Sequence, residues 1–156
     1  MIGVGEVITK KYIWIMENYQ EIYCIPGKLN MQWNDKIKAI IDTWTSYQVT
    51  LDEFAFAILE KGLINAKENA AIAWIVDSNN AVGTFTRECQ RFIATDIFPS
   101  FSKNGIKYFI TINSKNTMTN RTVKEYQAKA QPNRLILVEV LNVSEAVKWL
   151  QENAKS

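Results

Sequence analysis

The residues best placed to do chemistry are Asp77, Ser78, Asn79 and Asn80, which close an apolar run over residues 70–76 and lead through Gly83 to Thr84. Short polar side chains of this kind bond to nearby backbone and favour turns. The commoner reading is therefore a strand-end Asp followed by a turn Ser. The functional reading is a loop that faces a partner, because loops at the carboxyl ends of parallel strands are where such folds carry binding residues. It gives a partner-binding or regulatory role to Asp77, Ser78, Asn79, Asn80 and Thr84.

Other constellations are narrower. Histidine is absent from the chain, which excludes serine triads, Cys-His dyads and imidazole metal sites. Carboxylates, Lys or Tyr can still act as acids and bases. An enzyme of that kind needs a cleft holding a carboxylate or Lys of strongly shifted pKa, and nothing pairs the scattered Glu88, Asp96 and Glu125. The chain reads as a non-enzyme with no cofactor and no metal. Gly3-Val4-Gly5 lacks the third glycine and the preceding strand of a nucleotide-binding loop. Thr117, Thr119, Asn120, Arg121 and Thr122 could hold an anion at a helix start, although an ordinary helix start is commoner. Trp14, Trp33, Trp44, Tyr47, Phe54 and Phe56 could line an apolar pocket; aromatics at strand and helix spacing more often fill a core.

The 156 residues suit one domain with a real core. Hydrophobic residues make up 47% and charged ones 22%, a globular balance. Eighteen basic against sixteen acidic residues leave +2, too little and too dispersed for a nucleic-acid footprint. Cys24 and Cys89 lack the spacing of redox or zinc sites and read as reduced thiols. Glu6, Lys10 and Lys11 interrupt the apolar N-terminus, so neither a leader peptide nor membrane insertion is expected, and a cytoplasmic location is.

Apolar runs at 70–76, 108–112 and 135–141, each followed by an amphipathic segment, specify parallel strands joined by crossover helices. Before them, residues 29–33 and 37–46 flank Asn34-Asp35-Lys36 and read as an antiparallel hairpin. Its second arm should be half-solvated, with Lys36, Lys38, Ile40, Asp42 and Trp44 on the wetter face. Thr50 and Glu53 form a capping box that opens the first helix, with Val49 and Phe54 as its staple. A second helix, capped by Thr84 or Thr86, should kink or break at Pro99. A third covers about 119–130, and Ser144 should cap the last.

Five pieces then fall in a familiar order: Ile37-Lys38-Ala39-Ile40-Ile41-Asp42-Thr43-Trp44, a helix opening at 50–54, Trp74-Ile75-Val76-Asp77, Ile97-Phe98-Pro99 with Gly105-Ile106-Lys107, and Val147-Lys148-Trp149-Leu150. Over residues 28–152 this order resembles the STAS-like group, the sulfate-transporter and anti-sigma-factor-antagonist fold, in its small stand-alone bacterial branch. The resemblance implies protein association rather than turnover. It also implies a loop after the central strand where an Asp-Ser-Ser-Gly motif offers its second Ser to a kinase, the added charge making or breaking an interface. Here Asn79 stands at the acceptor position and the glycine is displaced to Gly83, leaving Ser78 as a neighbouring hydroxyl.

The expectations are these. An N-terminal extension over residues 1–27 precedes a STAS-like α/β domain over 28–156, with a mixed, mostly parallel sheet, an N-terminal antiparallel hairpin and about four helices mainly on one side. It works as a non-enzymatic interaction module with a protein partner, switching through the loop after the central strand. The alternative is a small apolar ligand or lipid bound among the aromatics. A homodimer would use the N-terminal segment or the hairpin edge, whose backbone groups are otherwise unpaired.

Overall fold

Asn34 closes one strand and, with its side chain accepting from the Lys36 N–H at 2.9 Å, starts the turn that sends the chain back as the next. The computed structural model describes residues 18–154. The expected hairpin is β2 (Leu29–Asn34) and β3 (Ala39–Trp44), paired antiparallel. Ahead of it, β1 (Tyr19–Ile25) pairs antiparallel with β2 across the Pro26-Gly27 turn, where Gly27 takes φ +73. Residues 19–25, set apart from the domain in the sequence reading, are thus a strand of the same sheet. The strand-like fragment at 12–16, Trp14 and Gly3-Val4-Gly5 lie outside the described residues.

From β3 the sheet continues in parallel through β4 (Ala73–Asp77), β5 (Tyr108–Ile112) and β6 (Ile136–Val140), in sequential order. Right-handed crossovers that always step in one direction put their helices on one face of a sheet. Those helices are α1 over 51–68, α2 over 87–103 and α3 (Thr117–Gln127). They cover Ile40, Trp44, Trp74, Val76 and Phe109. After β6 no further strand follows, and α4 (Val143–Asn153) covers the opposite face, setting Ala146, Val147 and Leu150 on Ala39, Ile41, Ala73, Ile75, Ile110 and Ile112. The result is the expected α/β fold with a mixed sheet.

Local chemistry explains the helix ends. The Thr50 hydroxyl accepts from the Glu53 N–H at 3.1 Å while the Glu53 carboxylate accepts from the Thr50 N–H at 3.0 Å, the reciprocal capping box. Thr86 caps α2 through the Cys89 N–H, Asn116 caps α3 and Asn142, rather than Ser144, caps α4. Pro99 does not break α2. The helix widens into a π segment, Ile93–Ile97, just before it, so the carbonyls that a proline cannot bond are already in a different register. Helix α1 carries a second π segment, Phe56–Leu63.

Two expectations about exposure are corrected. The face of β3 holding Ile40, Asp42 and Trp44 is not the wetter one: all three are buried, because β3 lies third in the sheet and α1 and α2 cover it. The opposite correction applies to β6, whose run is apolar but which ends the sheet, leaving Ile136 and Leu137 exposed.

Candidate functional site

Burying Asp42 is what makes a site of this fold. Its register partners are Met31 on β2 and Val76 on β4, so neither residue directly beside it offers a polar side chain. One carboxylate oxygen, Oδ2, accepts from the Trp74 indole Nε1–H at 2.8 Å. The other, Oδ1, is buried with no hydrogen-bond partner among the described residues. Burial lifts the carboxyl from 3.8 to about 7, with the Trp74 bond opposing only part of the rise.

Asp42 faces a cavity of about 40 Å³ between the sheet and the three helices. Among the described residues that line it, nine are aromatic and Asp42 is the only charged one. Trp44 and Tyr47 come from the end of β3 and the loop after it, Phe54 and Ile58 from α1, Phe85 from the loop after β4, Ile93, Ile97, Phe98 and Phe101 from α2, and Tyr126 from α3. Ile58 belongs to the π segment of α1, and Ile93 and Ile97 to that of α2. Two of the three helices around the cavity therefore contribute lining residues from π segments, a departure from α geometry common at functional sites. Gly62, also in the α1 segment, lets the helix rest on Trp74: a Cβ there would stand 2.6 Å from the indole Cη2. Trp74 cannot retreat, since it stacks on Phe101 at 4.2 Å.

Two tyrosine hydroxyls of the lining meet a third hydroxyl, that of Ser78, behind them. Tyr47 bonds Ser78, and Tyr126 lies 3.1 Å from the Tyr47 hydroxyl and 3.3 Å from that of Ser78. Burial pushes Tyr126 up to about 12 and Tyr47 well above the ordinary tyrosine value, so both stay protonated near neutrality. Asp42 is thus the one group here that titrates near pH 7. It can accept a hydrogen bond or pair with a cation, and the neutral tyrosines supply no second acid or base to work with it.

The sequence-derived site divides. Ser78 is 0% exposed, its hydroxyl enclosed by Tyr47 and Tyr126, so no kinase reaches it in this conformation. Asp77 makes the expected turn, its Oδ1 accepting from the Asn79 N–H at 3.0 Å. Asn79 is half-buried, with its carbonyl accepting from the Lys115 N–H, while Asn80 and Thr84 are exposed. The polar start of α3 satisfies itself: Thr119 donates to the Gly83 carbonyl and Asn120 exchanges bonds with Ser114. Glu88 and Glu125 lie exposed and outside the cavity lining, as does Asp96, which accepts from its neighbour Thr95.

Of the aromatics singled out in the sequence, Trp44, Tyr47 and Phe54 meet at the cavity. Trp33 is buried elsewhere in the core, and Phe56 is exposed against Tyr23. Sequence reasoning missed Asp42 itself, with Trp74, Phe85 and Tyr126. The available sign was an Asp inside Ala39-Ile40-Ile41-Asp42-Thr43-Trp44, where the residues on its own face, Ile40 and Trp44, are apolar.

Among the described residues there is no helix long and apolar enough to cross a membrane and no group of carboxylates and thiols fit to hold a metal ion. Cys24 is exposed and Cys89 buried, both unbridged, with burial pushing the Cys89 thiol up. No family model, no curated protein and no solved structure matches this chain.

Proposed function

We propose that this chain is a non-enzymatic binding protein that takes a small ligand into the aromatic cavity beside Asp42. The observation that carries this reading is the buried Oδ1 of Asp42, without a partner among the described residues, on a side chain that lines a mainly aromatic space. A buried polar atom without a partner is costly, commonly 1–3 kcal/mol, and a ligand that satisfies it recovers that cost. At about 40 Å³ the space suits a molecule of a few non-hydrogen atoms. Drug-sized ligands fill roughly 300–1,000 Å³, so a fatty acyl chain does not fit this conformation. Xenon, a neutral probe of apolar cavities, tests the reading: it should shift the amide and indole resonances of the cavity residues with saturation. Shifts that stay linear, or spread over the surface, refute it.

A second reading, a STAS-like interaction module of bacterial regulation, has its own support. Val82, Met118 and Leu141 are 51, 58 and 79% exposed and follow β4, β5 and β6 in turn, so they share the carboxyl rim of the sheet with Asn80 and Thr84. Exposed apolar residues grouped on one rim suit a protein partner. Replacing all three by Asp should abolish capture of a specific protein that the wild type retains. Equal capture by both refutes this reading.

A further inference from the structure

We propose that the cavity is built for a small organic ammonium ion, its charge paired with Asp42 and its carbon-bound hydrogens against the aromatic rings. The inference rests on the cavity reading above and names its ligand class.

Three features of the site select a cation over a neutral molecule. Among the described residues, the only charged side chain lining the cavity is a carboxylate, and no Lys or Arg of the lining neutralises it. Its Oδ2 is held by the Trp74 indole, which fixes the carboxylate and leaves Oδ1 as the open acceptor. The remaining walls are largely rings, including Trp44, Tyr47, Trp74 and Phe85, whose negative faces attract cations, tryptophan most strongly. A carboxylate in an aromatic enclosure is how alkylammonium groups are generally recognised. A neutral alcohol could satisfy Oδ1 with one hydrogen bond but would leave the charge of the ionised form unpaired.

The pairing couples binding to pH. An ammonium ion binds the ionised form of Asp42, and the apparent affinity falls by the fraction ionised. The other titratable groups that face Asp42 are Tyr47, from the loop after β3, and Tyr126, from α3. Both remain neutral between pH 5 and 8, since burial raises Tyr126 to about 12 and Tyr47 well above the ordinary tyrosine value. The dependence in that window is therefore Asp42's own: with its carboxyl at about 7, roughly one molecule in a hundred is ionised at pH 5 against most at pH 8.

The test titrates the full chain with methylammonium chloride, isosteric methanol and xenon, following the Trp74 indole resonance at pH 8 and pH 5 against potassium chloride of equal ionic strength. The expected result is saturable binding of methylammonium at pH 8, weakened about a hundredfold at pH 5, with methanol binding far more weakly. Asp42→Asn should lose methylammonium and keep xenon. If that variant does not fold, the pH comparison on the wild type decides alone. Methanol binding as well as methylammonium, affinity independent of pH, or xenon binding without methylammonium each overturns the ammonium proposal and leaves the cavity reading standing. Absence of binding by both xenon and methylammonium overturns the two together.

Discussion

The Trp74 indole N–H donates to Oδ2 of Asp42 at 2.8 Å, tying β4 to β3 through side chains on the buried face of the sheet. The bond orients the carboxylate but satisfies only half of it, and burial, which the bond offsets only in part, holds the carboxyl near 7 instead of 3.8. Both strands are also paired through backbone, so this bond is not what holds the sheet together. Its consequence is to place an ionisable group, in one orientation, where water has little access.

That placement makes stability pH-dependent with a definite sign. Asp42 binds its proton more tightly folded than unfolded, so between about 4 and about 7 the folded state carries more protons. Stability is then greatest below pH 4 as far as this group is concerned, declines by about 1.4 kcal/mol per pH unit through the window, and levels off above 7. The total loss is about 4 kcal/mol. Urea unfolding at pH 5 and pH 8 should show the protein weaker at pH 8, and Asp42→Asn should remove most of that difference. A wild-type protein equally stable at both would show that Asp42 is hydrated or paired.

At Gly62 the backbone of α1 lies close against the Trp74 indole. Alanine is the better helix former by about 1 kcal/mol, so propensity alone favours Gly62→Ala. The new Cβ would meet the indole at 2.6 Å and the Met31 sulfur at 2.9 Å. Overpacking of this kind costs typically 1–3 kcal/mol, and the net effect should be a lower melting temperature together with a shifted Trp74 indole resonance. A variant more stable than wild type would mean that α1 slides freely over Trp74.

Ser78 separates burial from surface chemistry. Ser78→Ala keeps the Tyr47–Tyr126 bond at 3.1 Å and should cost about 1 kcal/mol. Ser78→Asp places a charge between two buried tyrosines and should cost on the order of 3–5 kcal/mol. Circular dichroism melts of the two variants would therefore differ widely. Similar melts would put Ser78 at the surface, as a phosphorylated loop requires.

Ala70 follows the end of α1 with φ +55, a left-handed conformation that suits glycine. The Ala71 N–H closes the helix end by bonding the Ala66 carbonyl at 2.9 Å, so the conformation is imposed by the fold. Ala70→Gly removes the Cβ strain and should raise stability by about 0.5–1 kcal/mol in chemical denaturation. A loss of stability would show that the Cβ makes contacts worth more than the strain.

What the sequence determined by itself is the order of elements and most of their ends. The Thr50–Glu53 box, the turn at Pro26-Gly27 and the three parallel runs are written in residues close along the chain, and their physics is local. The tertiary structure decided which faces are wet. Asp42 shares a strand face with Ile40 and Trp44 in a pattern that also suits a half-exposed edge, yet β4 pairs beside it and α1 and α2 close over it. Ser78 sits in a polar tetrad that reads as a surface loop, yet Tyr47, 31 positions before it, and Tyr126, 48 after it, enclose its hydroxyl. Burial of a side chain depends on partners far away in sequence, and a periodic pattern records only the face a residue points to, not what later covers that face.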